Sequence, residues 1–509
     1  MNRCLHFTGL ACTVIACSEP VVTVQPYTVV TVNARPAVHD ATTLRVTLSN
    51  GGARRTEDLE LTQAFPVTFS VSAPERDGDL RIDVEAIDAS DFVVGRGSTG
   101  TTIDAESANL VLDSMDFVVN TDVAGDQFPS DDFEANGFQV GAAADGLWTV
   151  TFHDQCDTAP CALFARRFDL TGKVVTTRVA AGTNAFPLTT TPTNFVSVPA
   201  TATAGPATLL VWDFAELSPS LRDGVACRSL DTQGNATPVQ LEIAADPSSD
   251  VVSIAPLSNQ NFVVAWRTIG PTTNIRGAIV RADCTPVAAP VNVSTLPTPT
   301  RPAVTAQLTG TNVLYAWIVS GGVHVRIANL TNSFGVMPDT EFLPATATEV
   351  VESVRVAPLG QGFAILVRWA LATGFDGPGR IELYRTNAAG AVLGGATVVT
   401  TKSGSDPGSY DGFGVATNAA GTMFVTWHSC NANGDGQGCG VYGRAFDANG
   451  SPVTGEIVIP TTTVGDQSNP SVAALPDDAF VVVWRDDSGQ APDTSGSAVR
   501  ARIVYVSDP

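Results

Sequence analysis

Lysine is almost absent from this chain. Lys173 and Lys402 are the only two in 509 residues, so arginine supplies the other 26 of its 28 basic residues. With 51 acidic residues the formal charge is −23, and no polybasic patch offsets that field. Docking on phosphate backbones or anionic headgroups is therefore opposed, and nucleic acid is excluded as a partner. Beyond the N-terminus no run reaches the roughly 18 uninterrupted apolar residues that a spanning helix needs. Catalytic signatures are missing too: there is no G-x-S-x-G elbow, no H-E-x-x-H, no S-x-D-x-G-x-x-W box and no quinone-docking tryptophan motif. The acidic pairs Asp131/Asp132, Asp477/Asp478 and Asp486/Asp487 stand in turn-like stretches and read as solvated surface, with nothing to raise a pKa. Disorder is excluded by 44% hydrophobic against 16% charged residues.

What the chain does have is a period. An apolar strand ending in an aromatic recurs at Phe152, Trp212, Trp266, Trp317, Trp369, Trp427 and Trp484, at intervals of 51 to 60 residues, with Trp148 four residues before Phe152. After each comes a strand carrying arginine: Arg166, Arg228, Arg281, Arg326, Arg444 and Arg500, with Arg385 one place out of step. Four of these strands run into Asp169–Gly172, Asp231–Gly234, Asn387–Gly390 and Asp447–Gly450, turns in which Asp or Asn caps the bend and Gly takes the left-handed conformation. Repeats of this length read as propeller blades, small sheets that bury their faces only by stacking on neighbours. The last repeat stops before a fourth strand. Asp116–Gln127 parallels Glu456–Gln467, which leads from the sixth repeat into the seventh, so residues 116 to 121 are expected to close the ring. Seven blades are expected. Repeat two fits its first-strand pattern poorly, which leaves six or eight as alternatives.

Residues 18–113 have another rhythm: short alternating strands such as VVTVQPYTVVTV, TLRVTLS, PVTFSVS and LRIDVEAI, without cysteine after Cys17 and without tryptophan. They predict an immunoglobulin-like β-sandwich without the antibody-type core, and read as a spacer. The expected organisation is a signal peptide over 1–17, this sandwich over 18–113 and a seven-bladed β-propeller over 114–509, all-β throughout.

The opening residues MNRCLHFTGLACTVIAC have Arg3, a short apolar stretch and a small residue before a cysteine. Val14-Ile15-Ala16-Cys17 resembles the lipobox of bacterial lipoproteins, which implies acylation of Cys17. Ser18 in place of Asp implies the outer membrane or cell surface, and contact with membrane only through the lipid anchor. Cleavage by ordinary signal peptidase, releasing a soluble secreted protein, is the alternative. The pattern FVVVW, RFDxxGxP and GDQxxPxVA resembles repeats of large secreted bacterial proteins and of surface lipoproteins of predatory, myxobacterial-type or soil bacteria, over about 116–509. That resemblance implies a fold more than a function.

Six cysteines remain after Cys17, an even number in an exported chain. Cys156 with Cys161 and Cys430 with Cys439 each bracket a loop between neighbouring strands and are expected to be bridged, leaving Cys227 and Cys284. Zinc is the alternative, but neither spacing nor a histidine set fits it. His153 and His428 follow the aromatic as repeat inheritance, while His39 and His324 stand alone. The tryptophans read as packing between sheets, worth about 1.5 to 3 kcal/mol each, and not as a ring of sugar-stacking aromatics. The arginines read as interblade or surface ion-pair residues.

No cofactor is expected. Asn431, Asn433 and Asp435 begin like a calcium loop, but Tyr442 stands where the bidentate glutamate belongs, and a hydrated hairpin tip is the plainer reading. Loops joining second to third strands share a face with the links between blades, so binding is expected there, at Asp154, Asp213, Arg222, Arg267, Asp376, Asp435, Arg485 and Asp486. The function expected is binding or scaffolding towards a protein or polysaccharide at the cell envelope. The alternatives are a carbohydrate-active propeller enzyme, needing carboxylates around one cavity, and a glycan-binding lectin, needing exposed aromatics between blades.

Overall fold

Every named element is a β-strand, and the described residues contain no α-helix, hence none long and apolar enough to cross a membrane. The computed structural model describes residues 4–6, 27–73, 76–103, 105–120, 139–154, 162–175, 186–187, 195–196, 200–205, 207–215, 223–231, 241–245, 249–270, 273–330, 335–336, 338–371, 379–400, 412–430 and 434–506. The chain divides into two compact units that meet between Met115 and Asp116.

In the first unit, seven strands between Thr28 and Ser114 and the segment Cys4–His6 form one hydrogen-bonded sheet. Thr28–Ala34 runs antiparallel to Val67–Ser72 and parallel to Ser107–Ser114. Where a two-layer immunoglobulin-like sandwich was expected, the structure has a single curled sheet. Continuity is kept by two residue pairs, Gly95 with Ser114 and Arg96 with Asp113. The curl needs glycine, since a Cβ on Gly97 would lie 2.3 Å from the Val111 carbonyl oxygen. Inside it Val32, Val46, Phe69, Ile82 and Leu112 share one core. The edge strand Ala53–Glu60 carries Arg54, Arg55, Glu57, Asp58 and Glu60, charges that discourage further strand pairing.

The second unit is a β-propeller of seven sheets. The seven aromatic-ended segments are the second strands of the seven blades, for example Gly362–Leu371 in blade 5, Met423–Ser429 in blade 6 and Ala479–Asp486 in blade 7. Blade 2, the poor match in sequence, is a blade all the same: its first strand comes in two pieces, Phe195–Val196 and Ala200–Ala204, both paired to Ala207–Ala215. Blade 7 is completed from the other end of the unit by Phe117–Val118, which pairs with Arg500 and Ala501, as the parallel with 456–467 implied.

Stacking between blades makes the core. Buried clusters lie between blades 2 and 3, 3 and 4, 4 and 5, 5 and 6, and 6 and 7. In these, Trp266, Trp317, Trp369, Trp427 and Trp484 each pack against the preceding blade. All seven tryptophans are at most 6% exposed, which makes them core and removes them from any ligand ring. The hairpin turns at Asp169, Asn387 and Asp447 form as expected, while that of Asp231–Gly234 lies, after Asp231, outside the described residues: Asp447 Oδ1 accepts from the N–H groups of Asn449 (2.9 Å) and Ser451 (2.8 Å), and Gly450 sits at φ 71°.

A second device joins the blades. Arg166, Arg326, Arg444 and Arg502 occupy one register, opposite the residue two before the aromatic. Each donates to a backbone carbonyl at the end of the preceding blade's last strand: Val119, Val293, Val399 (3.0 Å) and Ile459 (2.8 Å). Burial lowers the Arg166 pKa to about 10 and shifts Arg326 the same way, as expected for a cation whose partner is a neutral carbonyl. Three of the arginines assigned to the period therefore do other work. Arg281 donates to Thr285 and Pro286 in its own turn, Arg385 lies beside Gly450 of blade 6, and the clamp of blade 7 is Arg502 instead of Arg500.

Arg500 locks the ring instead. It pairs with Asp486 (2.8 Å) and Asp116 (3.1 Å), all three side chains at most 4% exposed. Asp116 also accepts from the N–H groups of Thr461 (2.8 Å) and Thr462 (2.9 Å). Asn120 donates to Asp493 (2.7 Å) and accepts from the N–H of Val499 (2.9 Å). The disulfide Cys227–Cys284 staples blade 2 to blade 3, and Cys430–Cys439 closes a loop of blade 6. Cys17, Cys156 and Cys161 lie outside the described residues.

Candidate functional site

A repeated frame makes departures from it legible, and blade 5 departs most. At the clamp register, where blade 6 has Arg444, it has Glu382. Opposite Trp369 it has Arg380, where blade 6 places Tyr442 opposite Trp427. One residue before Trp369 stands Arg368, buried and paired with Glu352, where blades 3, 4, 6 and 7 have Ala265, Ala316, Thr426 and Val483.

Two of these substitutions, Arg380 and Glu382, build one polar cluster at the end of the blade that faces the links between blades. Arg380 bridges Glu349 and Glu382, with Nε 2.9 Å from Glu382, and its guanidinium stands 5.4 Å from the centre of the Trp369 ring. Glu382 also accepts from Trp369 Nε1 and the Tyr384 hydroxyl, both at 2.7 Å. Tyr384 in turn meets Phe342 of blade 4 edge-on at 5.8 Å. Burial alone would raise the Glu382 pKa, but the hydrogen bonds from Arg380 and Tyr384, the Arg380 charge and the Trp369 N–H together hold it below its ordinary value. The Tyr384 phenol is pushed up, first by burial and then by Glu382. Arg380 is held firmly protonated, chiefly by its hydrogen bond to Glu349. The cluster thus consists of a fixed anion, a fixed cation and a fixed phenol donor, with the outer pair Arg380 and Glu349 35% and 31% exposed.

The second feature is the axial channel. The first strands of all seven blades wall a cavity of about 320 Å3, lined by small, apolar and hydroxyl-bearing residues such as Gly141, Thr201, Ser253, Ala303, Gly414 and Ser471. Arg355 of blade 5 is the one charged residue among its described lining, which includes no carboxylate and no histidine.

The residues singled out from sequence scatter. Asp213 is buried, and Asp486 is buried in the ring lock, its pKa raised by burial against the opposing pull of Ser488 and Arg500. Neither belongs to an exposed binding face, because carboxylates beside the conserved strand end turn into the frame. Arg485 pairs with Asp487 at 2.9 Å and Arg267 is half-buried in its strand. Asp154 ends the second strand of blade 1. Asp435 accepts from the Gln437 N–H at 3.0 Å within the loop closed by Cys430 and Cys439. Arg222, Asp376, Asn431 and Asn433 lie outside the described residues, so of the calcium loop only Asp435 is placed. Among the described residues no group of three or more metal-ligating side chains occurs. His324 does not stand alone: it lies 3.1 Å from Asp339 and stacks on Trp317. The blade 5 cluster was missed from sequence, although one signal was present: Glu382 stands where the repeat carries its arginine.

No protein-family model matches the chain, and no curated protein does. Solved structures resemble it at low identity. A polysaccharide lyase, an ulvan lyase, has 11% identity and a TM-score of 0.48 over 77% of this chain and 96% of its own. A protein of unknown function from Dyadobacter fermentans has 11% identity and a TM-score of 0.45 over 77% of this chain and 98% of its own. A sialidase from Streptococcus pneumoniae has 10% identity and a TM-score of 0.40 over 94% of this chain and 95% of its own. Likeness at this level carries no argument about activity.

Proposed function

We propose that this is an exported, lipid-anchored binding protein. Acyl chains on Cys17 hold it at the outer membrane or cell surface, the N-terminal unit, immunoglobulin-like in outline, serves as a spacer, and the propeller contacts a protein or polysaccharide partner. One observation carries the reading. The charged groups that set blade 5 apart are opened to solvent at Arg380 and Glu349, while Glu382 is held below its ordinary pKa and Tyr384 above it, both away from neutral pH. A carboxylate kept ionised and a phenol kept protonated supply recognition, in which exposed charge sets orientation and association rate. General acid catalysis needs a group whose pKa lies near the working pH. The two disulfides support an oxidising compartment.

The test is a glycan-array and polysaccharide-depolymerisation screen on the chain from Ser18, with crosslinking on the cell envelope. Specific capture of a glycan or an envelope protein without depolymerisation, weakened at least about tenfold by Arg380→Gln, is the expected result. Turnover of a polysaccharide would replace this reading with the carbohydrate-active one. Capture unaffected by Arg380→Gln would move the contact away from blade 5.

A further inference from the structure

In the blade 5 cluster the capacity for hydrogen bonds is unevenly used. Glu382 is engaged at both oxygens: Oε1 accepts from Arg380 Nε (2.9 Å), Oε2 accepts from Trp369 Nε1 and the Tyr384 hydroxyl (2.7 Å each), and the side chain is 13% exposed. Arg380 and Glu349 keep capacity in reserve. Arg380 uses Nε on Glu382 and one N–H each of Nη1 and Nη2 on Glu349, with Nη2 3.3 Å from Oε2, which leaves two of the five N–H groups of a guanidinium. Glu349 accepts one hydrogen bond at each oxygen, about half of what a carboxylate can take.

Charge and orientation are settled within the same group. The guanidinium is held between two carboxylates and over the Trp369 ring, so the plane of its donors is fixed. An anion that seeks those donors meets Glu349 beside them, and a cation that seeks Glu349 meets Arg380. The long-range field of the net charge of −23 opposes anionic polymers and favours basic ones anywhere on the surface, so it does not select this place. What fits the exposed pair is a group that donates and accepts at once. A hydroxyl does both, and two hydroxyls on neighbouring ring carbons can meet a fixed donor and a fixed acceptor together. A trans peptide serves less well, because its N–H and C=O point in opposite directions. Tyr384, half-buried beside Glu382, and Phe342 add aromatic surface of the kind that receives the C–H face of a sugar.

Resting on the reading of blade 5 as the contact surface, we propose that its ligand is a neutral polysaccharide, held through vicinal hydroxyls that accept from Arg380 and donate to Glu349.

The test is calorimetric titration of the chain from Ser18 with neutral glucan, mannan and xylan, with anionic alginate and with cationic chitosan, beside crosslinking on the cell envelope. Each titration is run at about 50 and about 500 mM sodium chloride. Saturable binding of at least one neutral polysaccharide is expected, changing less than about threefold between the two salt levels, because a neutral polymer releases no counterions. Its O-methylated form should bind more than about tenfold more weakly, since the pair would lose the hydroxyl donors. Arg380→Lys keeps the charge but loses the fork and should weaken binding more than about fivefold. Should that variant fold poorly for want of the bond to Glu382, Glu349→Gln decides, with an expected loss of about tenfold. Binding confined to alginate or chitosan overturns the proposal, as does binding of a neutral polysaccharide that is undiminished in folded Glu349→Gln. Crosslinking to an envelope protein with no polysaccharide bound overturns it too, but leaves blade 5 as the contact surface if Arg380→Gln abolishes the crosslink. Capture of neither kind ends both readings.

Discussion

Blades 5 and 6 are neighbours cut to one register, and they put that register to different uses. In blade 6, Trp427 stacks on Tyr442 at 6.1 Å, Arg444 reaches back to the Val399 carbonyl, and Thr426 fills the place before the tryptophan. In blade 5 the same places hold Trp369, Arg380, Glu382 and Arg368; Arg380 and Glu382 pair with each other, and Arg368 pairs with Glu352 of the same blade. Shared positions build the ring; the changed positions of a single blade assemble charge that the ring does not need. A repeat protein can accept such a change because each blade touches only its neighbours.

The contrast is broken most severely at the tryptophan of blade 6. Trp427→Ala should cost about 3 to 5 kcal/mol in urea unfolding, because its indole is 1% exposed and fills the space against blade 5. A loss below about 1 kcal/mol would mean that the conserved aromatic is not core. Next comes the clamp. Arg444→Met keeps the length of the side chain but removes the charged donor to Val399, with an expected cost of about 1.5 to 3 kcal/mol. An unchanged unfolding midpoint would show that blades are held by apolar stacking alone.

Glu382→Gln sharpens the comparison through pH. The Glu382 pKa is lower in the folded chain than unfolded, so its contribution is fully present above the unfolded value of about 4.3 and is lost as pH falls through the folded one. The variant should therefore lose stability at neutral pH and show a shallower acid limb than the parent. Asp486 has the opposite sign: its folded pKa is raised, so its ionisation lowers stability as pH climbs from the unfolded value through the folded one. A parallel acid limb in Glu382→Gln would count against the placement of that carboxylate. The smallest effect on stability is expected from Glu349→Gln alone, under about 1 kcal/mol because its pair with Arg380 is about one-third exposed. Combined with Arg380→Gln it should lose partner capture, and retention would separate the cluster from recognition.

Much of the architecture was legible in the residues. An aromatic every 51 to 60 positions, Asp or Asn turns ending in glycine, and the likeness of 116–127 to 456–467 pointed to seven blades and the closing strand, with six or eight left open by repeat two until its two-piece first strand was seen. The candidate site was not legible in the same way. Asp486 and Asp213 sit at strand ends where the period placed a binding face, yet both are buried. Arg500 and Arg502 differ by two residues on one strand, and only the register shows that the second is the clamp and the first the lock.

The sequence by itself determined the repeat, the place where the ring closes and the positions of the core aromatics, because these depend on spacing, and spacing survives along a linear chain; that repeat two is a full blade, which makes the number seven, was decided by the structure. Only the tertiary structure decided which charges meet. Glu349, Arg380 and Glu382 come together across two strands of one blade, and Asp116 reaches Arg500 across 384 residues. Electrostatic and hydrogen-bond partnership falls off within a few ångströms, so it follows distance in the folded ring and not distance along the chain.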